Sequence, residues 1–189
     1  MSETTIAATT APPGWRTGRW VIDPAHSQVG FAVQHLMSKV RGRFDSFSGE
    51  IVTGDDPGWS TVTAVVELSS VNTGMPVRDD HLRSGEFFDV GQNPTMTFAS
   101  TALRPDGDRW VLRGDLTIKD VTRPVDLTVE YLGVDPTGLQ GEPRIGFEAT
   151  TTINRGDFGV NLGLVADGSK IFVGDRVEVT LDIEAALQA

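Results

Sequence analysis

Leu112-Arg113-Gly114-Asp115-Leu116-Thr117-Ile118 and Val125-Asp126-Leu127-Thr128-Val129-Glu130-Tyr131 decide the fold. In both stretches apolar residues alternate with polar or small ones. Successive side chains of a strand point to opposite faces, so each stretch has one apolar face and one polar face. The same rhythm runs through Val29, Phe31 and Val33, and through Val62, Ala64, Val66 and Leu68. It returns in Ile145, Phe147, Ala149 and Ile153, and in Val177, Val179, Leu181 and Ile183. So many strands, with no long amphipathic helix, hide their apolar faces by curling into a barrel or a sandwich. A barrel of about eight strands has room inside for its own side chains or for one small ligand.

Two places interrupt the alternation. Phe44 and Phe47 are three residues apart inside a stretch, Val40 to Val52, that otherwise reads as one strand. A bulge near Asp45-Ser46 would put both rings on one face. From Met75 to Phe88 the β pattern stops, and Asp79-Asp80-His81-Leu82-Arg83 reads as a short helix closed by Gly85. Gly54 to Gly58 is a loop, and Pro105-Asp106-Gly107-Asp108 is the turn of a hairpin. Residues 156–174 hold five glycines in no phosphate-loop spacing, and read either as a long mobile connection or as a lid over a barrel mouth. In the lid reading, Phe158 and Leu162 or Leu164 fold over the opening.

The chain has 189 residues, no cysteine and a net charge of -10. One domain of this size buries enough surface to need no disulfide. The negative charge disfavours nucleic acid and anionic membranes as partners, and no apolar run approaches the roughly 20 residues of a membrane helix. The first 18 residues, rich in Thr, Ala and Pro, lack a basic start and a continuous apolar core. They are expected to form a flexible tail ahead of a single domain over 19–189, in a cytoplasmic protein.

Little in the sequence points to catalysis or metal. His26, His35 and His81 are the only histidines, and none stands four residues from another as in a helical zinc motif. A Gly-x-Ser-x-Gly nucleophile elbow is absent. His35 shares the parity of Val29, Phe31 and Val33, so it is expected to point inward near a barrel rim. There it would serve as an orienting polar group or as an ordinary core histidine. Arg78 and Arg83, in the charged helix, have the chemistry to hold an anionic head group, and equally that of a solvated helix face. Asn154 and Arg155 at a strand end share the ambiguity. Phe31, Phe44, Phe47, Phe98, Phe147 and Phe158 fall mainly on the inward parity, as plain core or as walls for a long apolar chain.

Longer motifs carry a resemblance. Asp23-Pro24-Ala25-His26-Ser27, Phe31-x-Val33-x-His35-Leu36 and Val40-x-Gly42-x-Phe44-x-x-Phe47-x-Gly49 are similar to the opening of the YceI-like, polyisoprenoid-binding family. Arg78-Asp79-x-His81-Leu82, Phe87-Phe88-Asp89-Val90 and Asn93-Pro94-x-Met96-x-Phe98-x-Ser100 resemble its middle. Gly114-Asp115-Leu116-Thr117-Ile118-Lys119-x-Val121-Thr122-x-Pro124-Val125 resembles its most recognisable segment, and Ile153-Asn154-Arg155-x-Asp157-Phe158-Gly159 its end. The likeness covers residues 19–185. It implies an all-β fold, an extended antiparallel lipocalin-like barrel of about eight strands with one short helical insert. It implies non-catalytic binding of a polyisoprenoid, an isoprenoid quinone or another long-chain lipid, with no cofactor. Relatives often pair, so a homodimer is a possible partner state. Many are periplasmic, a point on which this N-terminus departs.

The expected ligand wall is Phe31, Val33, His35, Phe44, Phe98, Leu116, Ile118, Leu127, Val129, Phe147, Asn154 and Phe158. Arg78, Arg83 and Arg155 are the head-group candidates. Two other readings stay open at this point: a ligand-free stress or interaction protein whose barrel is filled, and a hydrolase or isomerase using His35 as acid or base.

Overall fold

A computed structural model describes residues 9–138, 140–161 and 173–189. Its strands are β1 (Gly18–Ile22), β2 (Gln28–His35), β3 (Ser38–Phe44), β4 (Phe47–Thr53), β5 (Thr61–Glu67) and β6 (Val71–Asn72). After the α-helix α1 (Pro76–Arg83), the one α-helix among the described residues, come β7 (Thr95–Asp106), β8 (Arg109–Ile118), β9 (Val121–Asp135), β10 (Arg144–Asn154) and β11 (Val173–Leu187). Hydrogen bonds join them in the order β1-β4-β5-β7-β8-β9-β10-β11, and β11 returns to β1. The result is a closed, antiparallel, eight-stranded barrel.

The remaining strands lengthen three staves of this barrel. β2 carries β1 onward along β11, β3 runs into β4, and β6 follows β5. The chain therefore winds as a simple meander, with neighbours in sequence beside each other in space. Breaks at residues 23–27, 45–46 and 68–70 separate the two halves of each long stave. The expected single strand from Val40 to Val52 is thus two, and the expected bulge is a change of partners: β3 pairs with β2 and β6, while β4 pairs with β1 and β5. Across the break the pairing slips, from Val21↔Glu50 to Val29↔Phe44. Phe44 and Phe47 are consequently both buried despite their odd spacing.

The starts of β1, β5, β8 and β10 mark what we call the upper end of the barrel. The β2–β3 turn, α1 and the β8–β9 turn mark the lower end. Pairing of β5 with β7 stops at Glu67↔Thr95, and α1 with the segment after it fills the gap below. Leu82, Phe87 and Phe88 pack against the buried core from there. Helix α1 has eight residues, Pro at its start and no side-chain N-cap, so tertiary packing holds it rather than its own propensity. Buried Asp79 ties it down by accepting from the Thr73 backbone N–H at 2.9 Å and from the Thr73 hydroxyl.

A bulge in β9 also matters. Gly146 faces Gly133 and Phe147 faces Tyr131, which leaves Leu132 as an extra, exposed residue. Tyr131 and Val134 can then both join the core although they are three positions apart.

Two expectations about loops change. Residues 9–17, within the expected tail, lie across the upper end. The Thr9 N–H donates to Asp56 Oδ2 at 3.0 Å and the Trp15 indole N–H donates to the Gly54 carbonyl at 2.9 Å. The physical reason is Trp15, a large apolar surface that the barrel mouth can cover. Of the expected loop over 156–174, residues 162–172, including Leu162 and Leu164, fall outside the described residues. Its first part, Arg155–Phe158, is a 3-10 turn capped by the Asn154 side chain, which accepts from the Gly156 N–H.

Candidate functional site

The inner faces of the staves enclose a cavity of about 300 Å³. It runs from Trp15, Ile51, Thr53 and Ser60 at the upper end to Val33, Ile153, Val177 and Arg155 at the lower end. Phe31, Val33, Phe44, Phe98, Leu116, Ile118, Leu127, Val129 and Phe147 all stand on its wall. Their shared parity is the cause: the alternation that hides apolar side chains from water aims them at the axis. The volume lies at the lower end of the roughly 300–1,000 Å³ of ordinary ligand pockets. Spread over the length of the barrel, it makes a narrow bore.

Glycine helps to keep the bore open. Phe31 pairs with Gly42 across β2 and β3, and the Phe98 ring lies over Gly114. A side chain at Gly42 or Gly114 would run into these rings. The rings therefore lie flat against the wall, where larger neighbours would push them inward.

The polar candidates are placed otherwise than expected. Phe158 is buried but stands behind the wall, packed with Phe87, Ile118 and Val160. His35 closes the β2–β3 hairpin, and Asn154 is an exposed cap residue; neither side chain belongs to the cavity wall. Both sit at strand ends, where parity no longer fixes direction. Arg78 and Arg83 are also off the wall. Arg78 donates to the Thr73 hydroxyl at 2.7 Å and to the Thr73 carbonyl at 2.9 Å. Arg83 donates to the carbonyls of Ser69 and Val71 and to Asp80. These guanidiniums tie residues 69–73, the end of the break and β6, to the helix.

Arg155 is the one arginine on the cavity wall among the described residues, and its donors are already engaged. They reach the carbonyls of Val160 at 2.7 Å and Gly174 at 3.0 Å, the carbonyl of Val173, and Asp175 at 2.7 Å. With its side chain only 14% exposed, Arg155 presents its aliphatic stem to the bore and its charge to the backbone.

Charge otherwise collects outside the barrel. Asp23, His26 and Glu184 gather within 4.8 Å of one another, and Arg144 occupies their centre. It meets Asp23 at 2.5 Å, Glu184 at 3.1 Å and Glu142 at 2.6 Å. The Arg144 guanidinium, followed by His26, holds the Asp23 carboxyl well below the usual carboxylate range. This cluster ties the β1–β2 break to β10 and β11.

The model of the YceI-like domain matches residues 20–185. The chain belongs to the YceI-like family. A UPF0312 protein of Pseudomonas paraeruginosa is 36% identical over 167 residues, covering 86% of this chain and 83% of the relative. The crystal structure of BcnA from Burkholderia cenocepacia superposes with a TM-score of 0.74 at 24% identity, over 86% of this chain and 98% of that one. A polyisoprenoid binding domain from Saccharophagus degradans, implicated in plant cell wall breakdown, gives 0.71 at 18% identity, over 92% and 100%. At these identities the two solved structures establish the YceI-like barrel fold.

Sequence reasoning missed the upper end of this YceI-like barrel. Trp15 lines the cavity from outside the sheet, and Thr53 and Ser60 line it from a loop margin. A lone tryptophan in a Pro- and Gly-rich segment was the available signal for Trp15. Tyr131 continues the parity of Leu127 and Val129 and was legible as inward, but its neighbours were not. Among the described residues, no helix is long and apolar enough to cross a membrane.

Proposed function

We propose that this chain binds, stores or carries a long apolar isoprenoid, or a related amphiphilic lipid, within the bore and without chemistry. The observation that carries the reading is the bore itself, about 300 Å³ and walled by aliphatic and aromatic side chains. Each methylene moved from water into such a wall contributes about 0.8 kcal/mol, so a chain of several isoprene units gains affinity with few polar contacts. The YceI-like family and the polyisoprenoid binding domain of Saccharophagus degradans, similar in fold, support an isoprenoid. A filled barrel is the weaker reading because side chains from both ends of the barrel line one continuous cavity. Acid-base work by His35 is weaker still, because its side chain stands off the cavity wall.

Native mass spectrometry of gently purified protein tests the proposal. The expected result is a bound mass that organic extraction identifies as a long-chain lipid. Protein that takes up no prenyl chain under any loading condition would refute it. A Val129→Trp variant should narrow the bore and shift the preferred chain to shorter lengths; unchanged chain preference would remove Val129 from the ligand's path. Light scattering and cell fractionation of the same material read the expected homodimer and cytoplasmic location.

A further inference from the structure

At the upper end the Tyr131 hydroxyl is buried without a hydrogen-bond partner among the described residues. Such groups are uncommon, because a buried hydroxyl that loses water and gains no partner is unfavourable. Its surroundings explain why it goes unpaired. The ring stands edge-on to Trp15, with centroids 5.5 Å apart, and tilted against Phe147 at 5.7 Å. Gly14 closes over the oxygen, where a methyl group on Gly14 would lie 3.7 Å away. Trp15 and Phe147 both line the cavity. Tyr131, itself off the cavity wall, therefore stands between two residues that line the mouth, beneath the strap of residues 9–17.

Other buried hydroxyls at this mouth already have a hydrogen-bond partner. The Thr53 hydroxyl accepts from the Trp20 indole at 2.9 Å and donates to the Arg16 carbonyl at 2.7 Å. Ser60 Oγ accepts from the Gly54 N–H at 3.2 Å. The strap is attached by few bonds and forms no strand. At the other end of the bore, Arg155 makes four hydrogen bonds, to three backbone carbonyls and Asp175.

We propose that the Trp15-covered mouth takes the polar end of the bound chain, with the Tyr131 O–H donating to a neutral oxygen acceptor, an alcohol or carbonyl oxygen, when the Gly14–Trp15 turn lifts. This deepens the lipid-binding reading and rests on it. It sets the direction of the ligand, polar end up and tail toward Val33 and Val177. It also sets the class: a neutral terminus rather than a diphosphate, since lifting the strap uncovers a phenol unpaired among the described residues, while Arg155, the arginine of the cavity wall, is bonded elsewhere. Burial raises the Tyr131 pKa, which keeps the phenol a donor at neutral pH.

The test compares two probes, geranylgeraniol and the hydrocarbon of the same skeleton without oxygen, on wild-type protein and on Tyr131→Phe. Affinity is read by displacement of a fluorescent apolar dye, and thermal melts are run alongside. Phenylalanine keeps the ring packing. The alcohol should bind Tyr131→Phe about 3- to 10-fold more weakly, as expected for one hydrogen bond. The hydrocarbon should bind both proteins alike, and the melting temperature of empty Tyr131→Phe should hold or rise. Equal weakening of both probes, or no change for the alcohol, overturns the role of the hydroxyl. A Trp15→Ala variant should release the alcohol about tenfold faster; an unchanged release rate places the way out at the lower end and overturns the strap. Wild-type protein that binds neither probe sinks the lipid reading itself, an outcome distinct from the others.

Discussion

The two ends of the barrel close in different ways. At the lower end, closure is by saturated polar bonds and aromatic packing: Arg155 spans three carbonyls and Asp175, while Phe87, Phe158 and Val160 pack beneath Ile118. The upper end is covered by a strap outside the sheet, one tryptophan deep, with a hydroxyl under it that is unpaired among the described residues. Saturated donors make a rigid floor, because moving any part of it exposes several polar groups at once. A strap held by few bonds opens locally at small cost. The contrast sets charged residues bonded to backbone carbonyls against a tyrosine hydroxyl with no partner among the described residues.

The largest effect is expected from breaking the floor. Arg155→Met should cost about 3 kcal/mol in urea unfolding, because buried carbonyls and an acid lose their donor together. The ratio of prenyl alcohol to prenyl diphosphate binding should stay unchanged. A loss below about 1 kcal/mol together with a selective drop in diphosphate affinity would return Arg155 to the head-group role and reverse the contrast.

A smaller effect separates the upper barrel wall from the strap above it. Arg144→Met should cost about 2 kcal/mol near neutral pH, since Asp23, Glu142 and Glu184 then repel without their shared partner. The pH dependence follows from the lowered pKa of Asp23 and Glu142. A carboxyl whose pKa is lower in the folded state stabilises above its unfolded value and loses that contribution as pH falls through the folded value. Wild-type stability should therefore decline from about pH 4 downward. The variant should decline less steeply, so that the two curves converge in acid. Parallel curves between pH 5 and pH 2 would mean that Arg144 acts through packing alone.

The smallest perturbation compares the two ends without mutation. Hydrogen exchange at the Trp15 amide, bonded only to the Pro12 carbonyl within the strap, should run about 100-fold faster than at the Val160 amide bonded to Arg155 O. Comparable protection would make the strap as fixed as the floor.

Gly114→Ala probes the stretch between the ends. The added methyl must displace the Phe98 ring, at about 1–3 kcal/mol. It should also shrink the bore, measured as a loss of dye uptake. Unchanged stability would show that the ring has room to move.

The sequence by itself determined the barrel and its wall. Alternation is a local property, so the nine apolar wall residues could be read from Phe31 to Phe147, and the short helix from the interruption after Met75. Ordered motifs over most of the chain likewise identified the family. Local pattern could not say that the stave from Val40 to Val52 changes partners at Asp45-Ser46, because a bulge and a partner change leave the same slip in parity. Nor could it say what each arginine meets. Arg78, Arg83 and Arg155 have the chemistry of anion binding, and only the fold delivers backbone carbonyls to them first. Trp15 and Tyr131 are 116 positions apart in the chain, and their meeting at one mouth depends on barrel closure. That closure, β11 returning to β1, decides which end is sealed by hydrogen bonds and which by a strap, because it fixes where the segment ahead of β1 emerges.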